Sequence, residues 1–434
     1  MISNFNSHSN GCGFLCGNFI VTFRLQTQSF SKNAKYFLTA TVINGIIFNT
    51  WLLFFNFFIL AKGFDKEFLG LINSIPSIAG LILGIPLGML SDRIGRKKAM
   101  LIGLGLSTVA MGLQVIAQQG WLLIGMAFIG GAGNSLYFLS QAPFMMKETD
   151  KNNRSLMFSL NFGLNTLAGF VGNLFAGQMP AWFGKFLKVP ADSVTAYQAV
   201  LLVAVFFGLF ALIPILLINV KKSSVVMVDS PKINQWRVLK SAVGKPLTWK
   251  LILPELLLGF GAAITIPYMN LYFSDHFLIS SQRLGVLFSL SSLVVGIGSI
   301  IGPRLVKRYK SKIKVVVLTQ SSSLVFLLIL AFSPFYWLAA IGFLLRGMLM
   351  NMAVPLYNAF CMENIPEHEQ GVVNSLISNA WTTGWAVGPF LSGLIQIRFG
   401  FLPLFLTTAV IYLFSITVTW LFFGKFEQVQ ALME

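Results

Sequence analysis

Two charged residues, Glu255 and Arg346, stand inside stretches of the sequence that are otherwise apolar. If such a stretch crosses a membrane, a charge within it is costly and is a candidate for function. Glu255 is either a proton carrier or a structural carboxylate favoured by the dipole of a nearby helix N-terminus. Arg346 could contact an anionic or carbonyl-bearing solute, or it could pair with polar residues of other helices.

Carboxamide side chains also occur within the apolar stretches, where they must find partners or face water. Asn56 and Asn270 are the best candidates for a pair that lines a cavity, and hydrogen bonding between helices is the alternative. Trp381 lies one helical turn before Trp385, a pairing that suits an amphipathic solute. The candidate cavity residues are Asn56, Asn134, Gln141, Asn270, Arg346, Asn358 and Trp381.

The sequence offers little for catalysis or metal binding. The apolar stretches carry no paired carboxylates, no nucleophile with a base and no metal-ligand spacing, and the three His residues lie outside them. His8, Cys12 and Cys16 are loosely spaced and have no fourth ligand nearby. We therefore expect no enzyme activity, no cofactor and no metal site, and three Cys cannot form a disulfide framework.

The composition indicates what positions these residues. Of 434 residues, 56% are hydrophobic and 10% are charged, which excludes a soluble multidomain enzyme. Each apolar run is continuous and about 20 residues long, as membrane-spanning helices require, whereas barrel strands are shorter and alternate in polarity. The predicted spans are 36–60, 68–90, 99–118, 121–146, 156–180, 197–219, 251–273, 285–303, 315–332, 334–360, 372–396 and 401–423.

The net charge of +17 carries orientation information. An even number of spans puts both termini on one side, and 24 of the 31 Lys and Arg residues fall on that side, against 6 on the other. Basic loops stay in the cytosol, so we predict cytosolic termini in a plasma (inner) membrane protein. The charge excess then needs no nucleic-acid partner. The expected partners are the lipid bilayer, a small-molecule substrate and, as a candidate, protons.

The sequence also repeats itself. The segment 154–184 aligns with 370–400 at an offset of 216 residues, and several glycines of the preceding spans align at an offset of 214. This predicts two bundles of six helices, at 36–220 and 251–424, in a protein that we expect to be monomeric. A cytosolic extension (1–35), a central cytosolic loop (221–250) and a cytosolic tail (425–434) complete the predicted organisation.

The loop between spans 2 and 3 has a specific pattern, Gly84-Ile-Pro-Leu-Gly-Met-Leu-Ser-Asp-Arg-Ile-Gly-Arg-Lys-Lys98. It resembles the signature loop of the major facilitator superfamily, Gly-x-x-x-Asp-Arg-x-Gly-Arg-Arg/Lys, and the resemblance covers about residues 36–424. The marked positions are filled by Gly88, Asp92, Arg93, Gly95, Arg96 and Lys97.

The resemblance implies an all-α membrane fold of twelve helices in two pseudo-symmetric bundles, with spans 1, 4, 7 and 10 around a central cavity. It also implies a conformational latch, in which Asp92 faces the start of span 11 near Gly371. Arg96 would then hold Asp92, and Glu148 would hold one of the two arginines of the loop. The expected latch residues are Gly88, Asp92, Arg93, Gly95, Arg96 and Glu148. In the second half the counterpart of Asp92 is Val306, which predicts a weaker latch there.

The function that follows is secondary transport of a small organic solute by alternating access. Export of amphipathic compounds is favoured because the cavity of the first half looks apolar and aromatic. Proton coupling through Glu255 is a candidate addition. Uptake or facilitated passage of a small polar or anionic solute is one alternative. A receptor or assembly protein that transports nothing is another, but a conformational latch would be of no use to it.

Overall fold

A computed structural model describes residues 30–219 and 235–424 of the chain. Most of the predicted N-terminal extension, the first part of the central loop and the C-terminal tail lie outside these described residues. His8, Cys12 and Cys16 lie outside them as well.

The described residues form fourteen α-helices and no strand, which confirms the predicted all-α fold. The first six are α1 (Lys32–Ala61), α2 (Lys66–Ile94), α3 (Arg96–Ile116), α4 (Gly120–Glu148), α5 (Lys151–Leu187) and α6 (Val194–Leu217). A short helix, α7 (Gln235–Val243), precedes the second half. The second half contains α8 (Pro246–Thr265), α9 (Met269–Phe277), α10 (Ser281–Tyr309), α11 (Lys312–Phe332), α12 (Tyr336–Glu363), α13 (Glu367–Phe399) and α14 (Leu402–Phe423).

Each predicted span corresponds to one long helix, except that α8 and α9 together form the seventh. Within the described residues, ten of the twelve resulting spans are long and apolar enough to cross a membrane by composition alone. The other two, α5 and α13, are 37 and 33 residues long but are richer in polar residues. They occupy matched positions in the sequence repeat, so the span that falls short of this criterion is the same one in both halves.

The seventh span is interrupted, although the sequence predicts it to be continuous. The helix α8 ends at Thr265, and a short 3₁₀ turn, Ile266–Tyr268, leads into α9. Pro267 lacks a backbone N–H and cannot continue the α-helical hydrogen bonding, so the chain changes direction here. The break leaves backbone carbonyls within the span that can accept hydrogen bonds from other helices.

The central loop also differs from its prediction. Residues 235–243 form a helix, and α8 starts at Pro246 rather than near residue 251. Val238 and Ala242 lie one turn apart on α7 and are both buried, which explains why this segment packs as a helix against the second half. Proline suits the first turn of a helix, because the N–H that it lacks has no helical partner there.

The two halves have the same internal packing and meet along two helix pairs. Within the halves, α1 packs on α6 as α8 packs on α14, and α3 packs on α4 as α11 packs on α12. Between the halves, α2 packs on α13 and α5 packs on α10. Glycines allow this close approach: a Cβ at Gly177 of α5 would lie 2.6 Å from the Cα of Gly285 of α10.

The contacts between the halves are concentrated toward one end of the molecule. We call the membrane face with the helix ends near 92–98, 148–151 and 304–314 the basic side, and the opposite face the far side. The close contacts of α2 with α13 involve Gly70 and Gly393, which lie toward the far side. Toward the basic side of α2, a Cβ at Gly84 or Gly88 would meet no atom within 4 Å. The halves therefore diverge toward the basic side.

Candidate functional site

A cavity of about 380 Å³ lies between the two halves. Its wall comes mainly from α1 to α5, with contributions from the broken seventh span, α10 and α13. No Asp, Glu, Lys, Arg or His is among its described lining residues. The polar lining consists of Asn44, Asn49, Asn56, Asn73, Ser77, Ser107, Thr108, Gln114, Asn134, Asn173 and Asn270. The aromatic lining consists of Phe48, Trp51, Phe55, Phe288 and Trp385.

Asn56 and Asn270 join the two halves at the wall of this cavity. The Asn56 amide donates to the Pro267 carbonyl at 2.5 Å and to the Asn270 side-chain oxygen at 3.0 Å. The Asn270 amide donates to the Leu53 carbonyl at 2.9 Å. Each asparagine thus binds the carbonyl three residues before the other, so the arrangement is reciprocal. We call this pair with its two carbonyls the asparagine clasp.

Local structure explains how the clasp forms. The 3₁₀ turn at Ile266–Tyr268 leaves the Pro267 carbonyl available to another helix. Asn73 of α2 donates to the Asn56 side-chain oxygen at 3.1 Å, which orients the amide group. Asn56 and Asn270 are both buried. Since buried amides without partners are costly, this fully bonded arrangement holds the two halves in one relative position.

Of the other predicted cavity residues, some line the larger cavity and others lie away from it. Asn134 lines the larger cavity, but Gln141 is buried outside its wall. Arg346 is also buried away from it and donates to the Tyr412 hydroxyl at 2.7 Å, with its guanidinium 5.7 Å from the centre of that ring. Of the two interpretations of Arg346, the geometry matches pairing with a polar neighbour on another helix.

A second cavity, of about 270 Å³, lies within the second half between α8, α12 and α13. Glu255 lines it, and its position is about two and a half turns from the start of α8 rather than the single turn predicted. The two tryptophans that were predicted as a pair line different cavities: Trp381 lines this one, and Trp385 lines the larger one. The complete lining is Glu255, Val354, Asn358, Asn374, Ile377, Ser378 and Trp381.

The loop between α2 and α3 forms its predicted internal ion pair, but it does not meet its predicted partner in the second half, the start of α13. Asp92 pairs with Arg96, as expected, and Arg96 also donates to the Ser91 hydroxyl at 2.9 Å. The Asp92 side chain is 66% exposed, and a Cβ at Gly371 of α13 would meet no atom within 4 Å. Asp92 therefore does not face the start of α13 in this conformation.

Three further residues of the expected latch do not form latch contacts in this conformation: Glu148, Arg93 and Gly88. Glu148 accepts from Ser31 at 2.8 Å and from Asn33 at 3.3 Å, so it holds the start of α1 instead of Arg93 or Arg96. Arg93 is exposed, and Gly88 has no close neighbour in this conformation.

Gly95 has a clear local role in the same loop. It is the only residue between α2 and α3, with a φ of +89°. Because side chains disfavour such a backbone conformation, glycine permits this one-residue turn between two helices.

The far side carries an ion pair between the halves. Lys66, at the start of α2, lies 3.1 Å from Asp275 of α9. In addition, the Ser74 hydroxyl accepts from the Phe390 backbone N–H at 3.1 Å, and Ser289 donates to the Phe170 carbonyl at 2.8 Å. These contacts, with the clasp, close the far side while the basic side stays open.

Several contributing residues escaped the sequence analysis. Asn73, Gln114 and Asn173 line the larger cavity, yet they were not among its candidates. Each stands inside a predicted apolar span, so a search for every carboxamide at membrane depth would have found them. The Ser91–Ser140 contact of 2.6 Å, which ties α2 to α4, left no sequence signal because serine pairs at this distance along the chain are common.

Solved structures share this architecture over nearly the whole chain. A bacterial homolog of the human lysosomal transporter Spinster, in an inward-facing and unoccupied conformation, superimposes with a TM-score of 0.74 and 13% identity, covering 90% of this chain and 96% of that one. The nucleoside transporter NupG superimposes with a TM-score of 0.69 and 14% identity, covering 91% and 100%. At such identities the likeness shows the fold alone.

Curated relatives match a smaller part. The uncharacterized MFS-type transporter YhjO of Bacillus subtilis is 30% identical over 117 residues, which are 26% of this chain and 29% of YhjO. The multidrug resistance protein MdtG of Salmonella arizonae is 26% identical over 115 residues, 26% of this chain and 28% of MdtG. The matched region thus spans less than a third of these relatives.

A family model matches much more of the chain. The model of the Major Facilitator Superfamily matches residues 37–389 and 251–430. These matches include both halves, the loop at 84–98 and the helices that line both cavities. Together with twelve membrane-spanning helices arranged as two repeats, they show that this chain belongs to the Major Facilitator Superfamily.

Proposed function

We propose that the chain is a secondary transporter that exports uncharged amphipathic organic solutes by alternating access. The observation that carries this proposal is the larger cavity, which lies between the halves and combines aromatic and carboxamide side chains with no charged group among its described residues. Aromatic faces suit the apolar body of such a solute, and the amides suit its polar groups. An ionised solute would lose its hydration there without gaining a counter-charge.

An unpaired donor adds to this argument. The indole N–H of Trp385 is buried and has no hydrogen-bond partner among the described residues, although the side chain lines the cavity. A buried donor without an acceptor is costly, so a bound solute with a carbonyl or ether oxygen would satisfy it. This favours a solute that has an acceptor oxygen next to an aromatic or aliphatic body.

The conformation supports a direction of approach. If the basic side faces the cytosol, as the distribution of Lys and Arg predicts, the open side of the molecule is the cytosolic one. A solute then enters from the cytosol, and export requires that the far side opens while the basic side closes. In that second conformation Asp92 would meet the start of α13 and act as the latch.

A solute-binding experiment tests the proposal. We would measure the melting temperature of the purified chain against a panel of neutral amphipathic compounds, with Trp385→Ala and the exposed-surface control Trp337→Ala. A ligand at about one hundred times its Kd stabilises a protein by about 2.7 kcal/mol. Stabilisation of the native chain and of Trp337→Ala, but not of Trp385→Ala, is expected. Equal stabilisation of both variants would place the solute elsewhere.

The direction of transport and its coupling to a proton gradient can be measured in membrane vesicles. In inside-out vesicles an exporter accumulates the solute, and we propose that a proton gradient drives this through Glu255. Glu255→Gln should then make accumulation independent of the gradient. If accumulation in this variant still follows the gradient, Glu255 is not the proton carrier.

A second candidate function is passage of a neutral polar solute, such as a nucleoside or a sugar. The number of carboxamides in the larger cavity favours it, and one structural neighbour is the nucleoside transporter NupG. The same melting experiment with nucleosides and sugars separates the two candidates. Flux of any solute in vesicles would eliminate the alternative of a receptor or assembly protein that transports nothing.

A further inference from the structure

The second cavity contains a carboxylate that the protein itself does not neutralise. Glu255 forms no ion pair or side-chain hydrogen bond with any described residue, although it lies within a membrane-spanning helix. Its neighbours on α12 supply no positive charge: Tyr357 donates to the Leu251 carbonyl at 2.9 Å, and Cys361 is a buried free thiol. Arg346, the other charge at membrane depth, is paired with Tyr412.

Neutral oxygen donors surround the same space. Asn358 of α12 and both Asn374 and Ser378 of α13 line the cavity; all three residues are exposed, and their side chains form no hydrogen bond with the described residues. Asn374 and Ser378 are four residues apart, so they share one face of α13. The cavity thus presents a carboxylate, two amide oxygens and a hydroxyl that are all uncommitted.

The first half has no such site at the equivalent position. At the repeat offset of 214 residues, Glu255 corresponds to Thr41, which is buried and donates to the Asn161 side chain at 3.0 Å. The surrounding first-half residues Phe37, Phe144 and Met157 form a buried hydrophobic cluster. Among the described residues, the two halves share one fold, but the open cavity with a carboxylate is found in the second half alone.

We propose that this second cavity binds one alkali-metal cation, with Glu255, Asn358, Asn374 and Ser378 as its oxygen ligands. Carboxylate, carbonyl and hydroxyl oxygens are the ligands of hard cations. A single carboxylate matches a single positive charge, whereas a divalent ion would leave an uncompensated charge at membrane depth. The volume of about 270 Å³ leaves room for water to complete the coordination.

The cation and the proton proposed above would compete for the same Glu255 carboxylate, since its protonated form is a poor cation ligand. A role for either as the coupling ion rests on the transport function proposed above, but binding of the cation does not. The cavity belongs to the second half alone, and the helix α13 connects it to the larger cavity through Trp381 and Trp385, whose ring centres lie 6.4 Å apart. A change at the cation can therefore reach the wall of the larger cavity along one helix.

The test is equilibrium binding of radioactive sodium to the full chain in lipid nanodiscs, at mildly alkaline pH and constant ionic strength. We expect saturable binding of one ion per chain. Glu255→Gln should weaken it by about tenfold or more, because a direct charge partner is lost. Ser378→Ala should weaken it by a smaller factor. Glu363→Gln removes an exposed carboxylate of α12 that pairs with Lys312 and serves as the matched control.

Three results would overturn the cation site: no saturable sodium binding by the native chain, unchanged binding by Glu255→Gln with normal melting behaviour, or displacement of sodium by choline as effective as by unlabelled sodium. The last result would assign the cavity to an organic ammonium group instead. The outcome is independent of the proposed function, since solute stabilisation through Trp385 can persist without sodium binding, and sodium binding can persist when no solute in the panel is transported.

Discussion

The far side and the basic side of the molecule are held by different kinds of contact. On the far side the contacts join the two halves: the asparagine clasp, the Lys66–Asp275 ion pair and the glycine contacts of α5 with α10. On the basic side the ion pairs stay within one half, as with Asp92–Arg96 and Lys245–Glu369. The structure is therefore closed at the far side and open at the basic side, which is one of the two states that the proposed alternating access requires.

The difference teaches which substitutions should affect the equilibrium between the states. Contacts between the halves stabilise this state relative to the other, so their loss shifts the population. Contacts within a half exist in both states, so their loss changes stability without a shift. The far side also relies on packing and amide hydrogen bonds more than on charge, which suits a surface that would separate under the proposed alternating access.

The largest effect is expected from crowding the contact of α5 with α10. A Cβ at Gly177 would lie 2.6 Å from the Gly285 Cα, so Gly177→Val should force the far-side ends apart. Overpacking costs about 1–3 kcal/mol, which is roughly fivefold to 150-fold in the ratio of the two states. Spin-label distances between the far-side ends of α5 and α10 would report the shift. Gly163→Val on the same helix, where a Cβ would meet nothing within 4 Å, should leave the distances unchanged.

Removal of the asparagine clasp should have the next largest effect. Each single variant, Asn56→Ala or Asn270→Ala, removes at least two hydrogen bonds between the halves. At about 0.6 kcal/mol per interhelical hydrogen bond in membranes, each should raise the far-side-open population by about eightfold. Because both residues act in one network, the double variant should shift it less than the two single shifts combined. Labels on the far-side ends of α1 and α9 measure this. Fully additive shifts would show that the clasp is not a unit, and Asn44→Ala is the control within the same cavity.

Substitution of Asp92 should instead disfavour the far-side-open state. In this state it is exposed and pairs only within its own half, so Asp92→Asn should leave the far-side-closed state intact. If Asp92 meets α13 in the other state, the variant disfavours that state, and solute flux should fall by several-fold while binding from the basic side is retained. Flux and solute affinity measured on the same preparation check this. Unchanged flux would remove the latch.

The smallest effect concerns Glu369, in the first turn of α13 and outside the predicted span 372–396. Its side chain is 2% exposed and accepts from Lys245 at 2.6 Å and Ser241 at 2.9 Å. The hydrogen bond from Lys245, together with that from Ser241, lowers the pKa of the Glu369 carboxyl below its ordinary value of 4.5. The ionised form therefore stabilises the fold above that value, and this stability is lost as the pH falls through the lowered pKa.

The measurement for Glu369 is the melting temperature against pH, in the range below pH 4.5. Glu369→Gln should lower the melting temperature slightly at neutral pH and reduce its fall on acidification. The contribution is small because Lys245 is about half exposed and screened by water. If the melting temperature of Glu369→Gln falls with pH as it does in the native chain, the hydrogen bonds from Ser241 and Lys245 do not stabilise the packing of this segment on α13. In neither case should the distances between the halves change.

Much of the fold could be predicted because apolar length, basic loops and internal repetition are written along the chain. The helices agree with the predicted spans, apart from the break at Pro267 and the extra helix α7. The break was not predicted because transmembrane helices tolerate proline, so a proline within an apolar run is compatible with a continuous helix. The helix α7 was missed because, of its side chains that the structure describes, only Val238 and Ala242 are buried, which is a weak pattern in the sequence.

The candidate sites were less predictable. Asn56 and Asn270 were identified as a pair by the repeat, but their reciprocal bonds to Pro267 and Leu53 depend on how the halves approach each other. Asn358 and Trp381 were assigned to the central cavity, and the structure places them in a second one together with Glu255, which was a candidate for proton coupling. The periodicity of a helix tells which residues share a face, but it does not tell which neighbour that face meets.

The sequence by itself determined the membrane fold, the twofold repeat and the loop that identifies the family. These depend on hydrophobicity, charge and local spacing, which any conformation of the chain preserves. Only the tertiary structure decided that the far side is closed, that Asp92 does not face the start of α13 and that Glu255 lines a second cavity without an ion-pair partner among the described residues. These depend on contacts between residues that are far apart in the chain, which composition and local spacing do not specify.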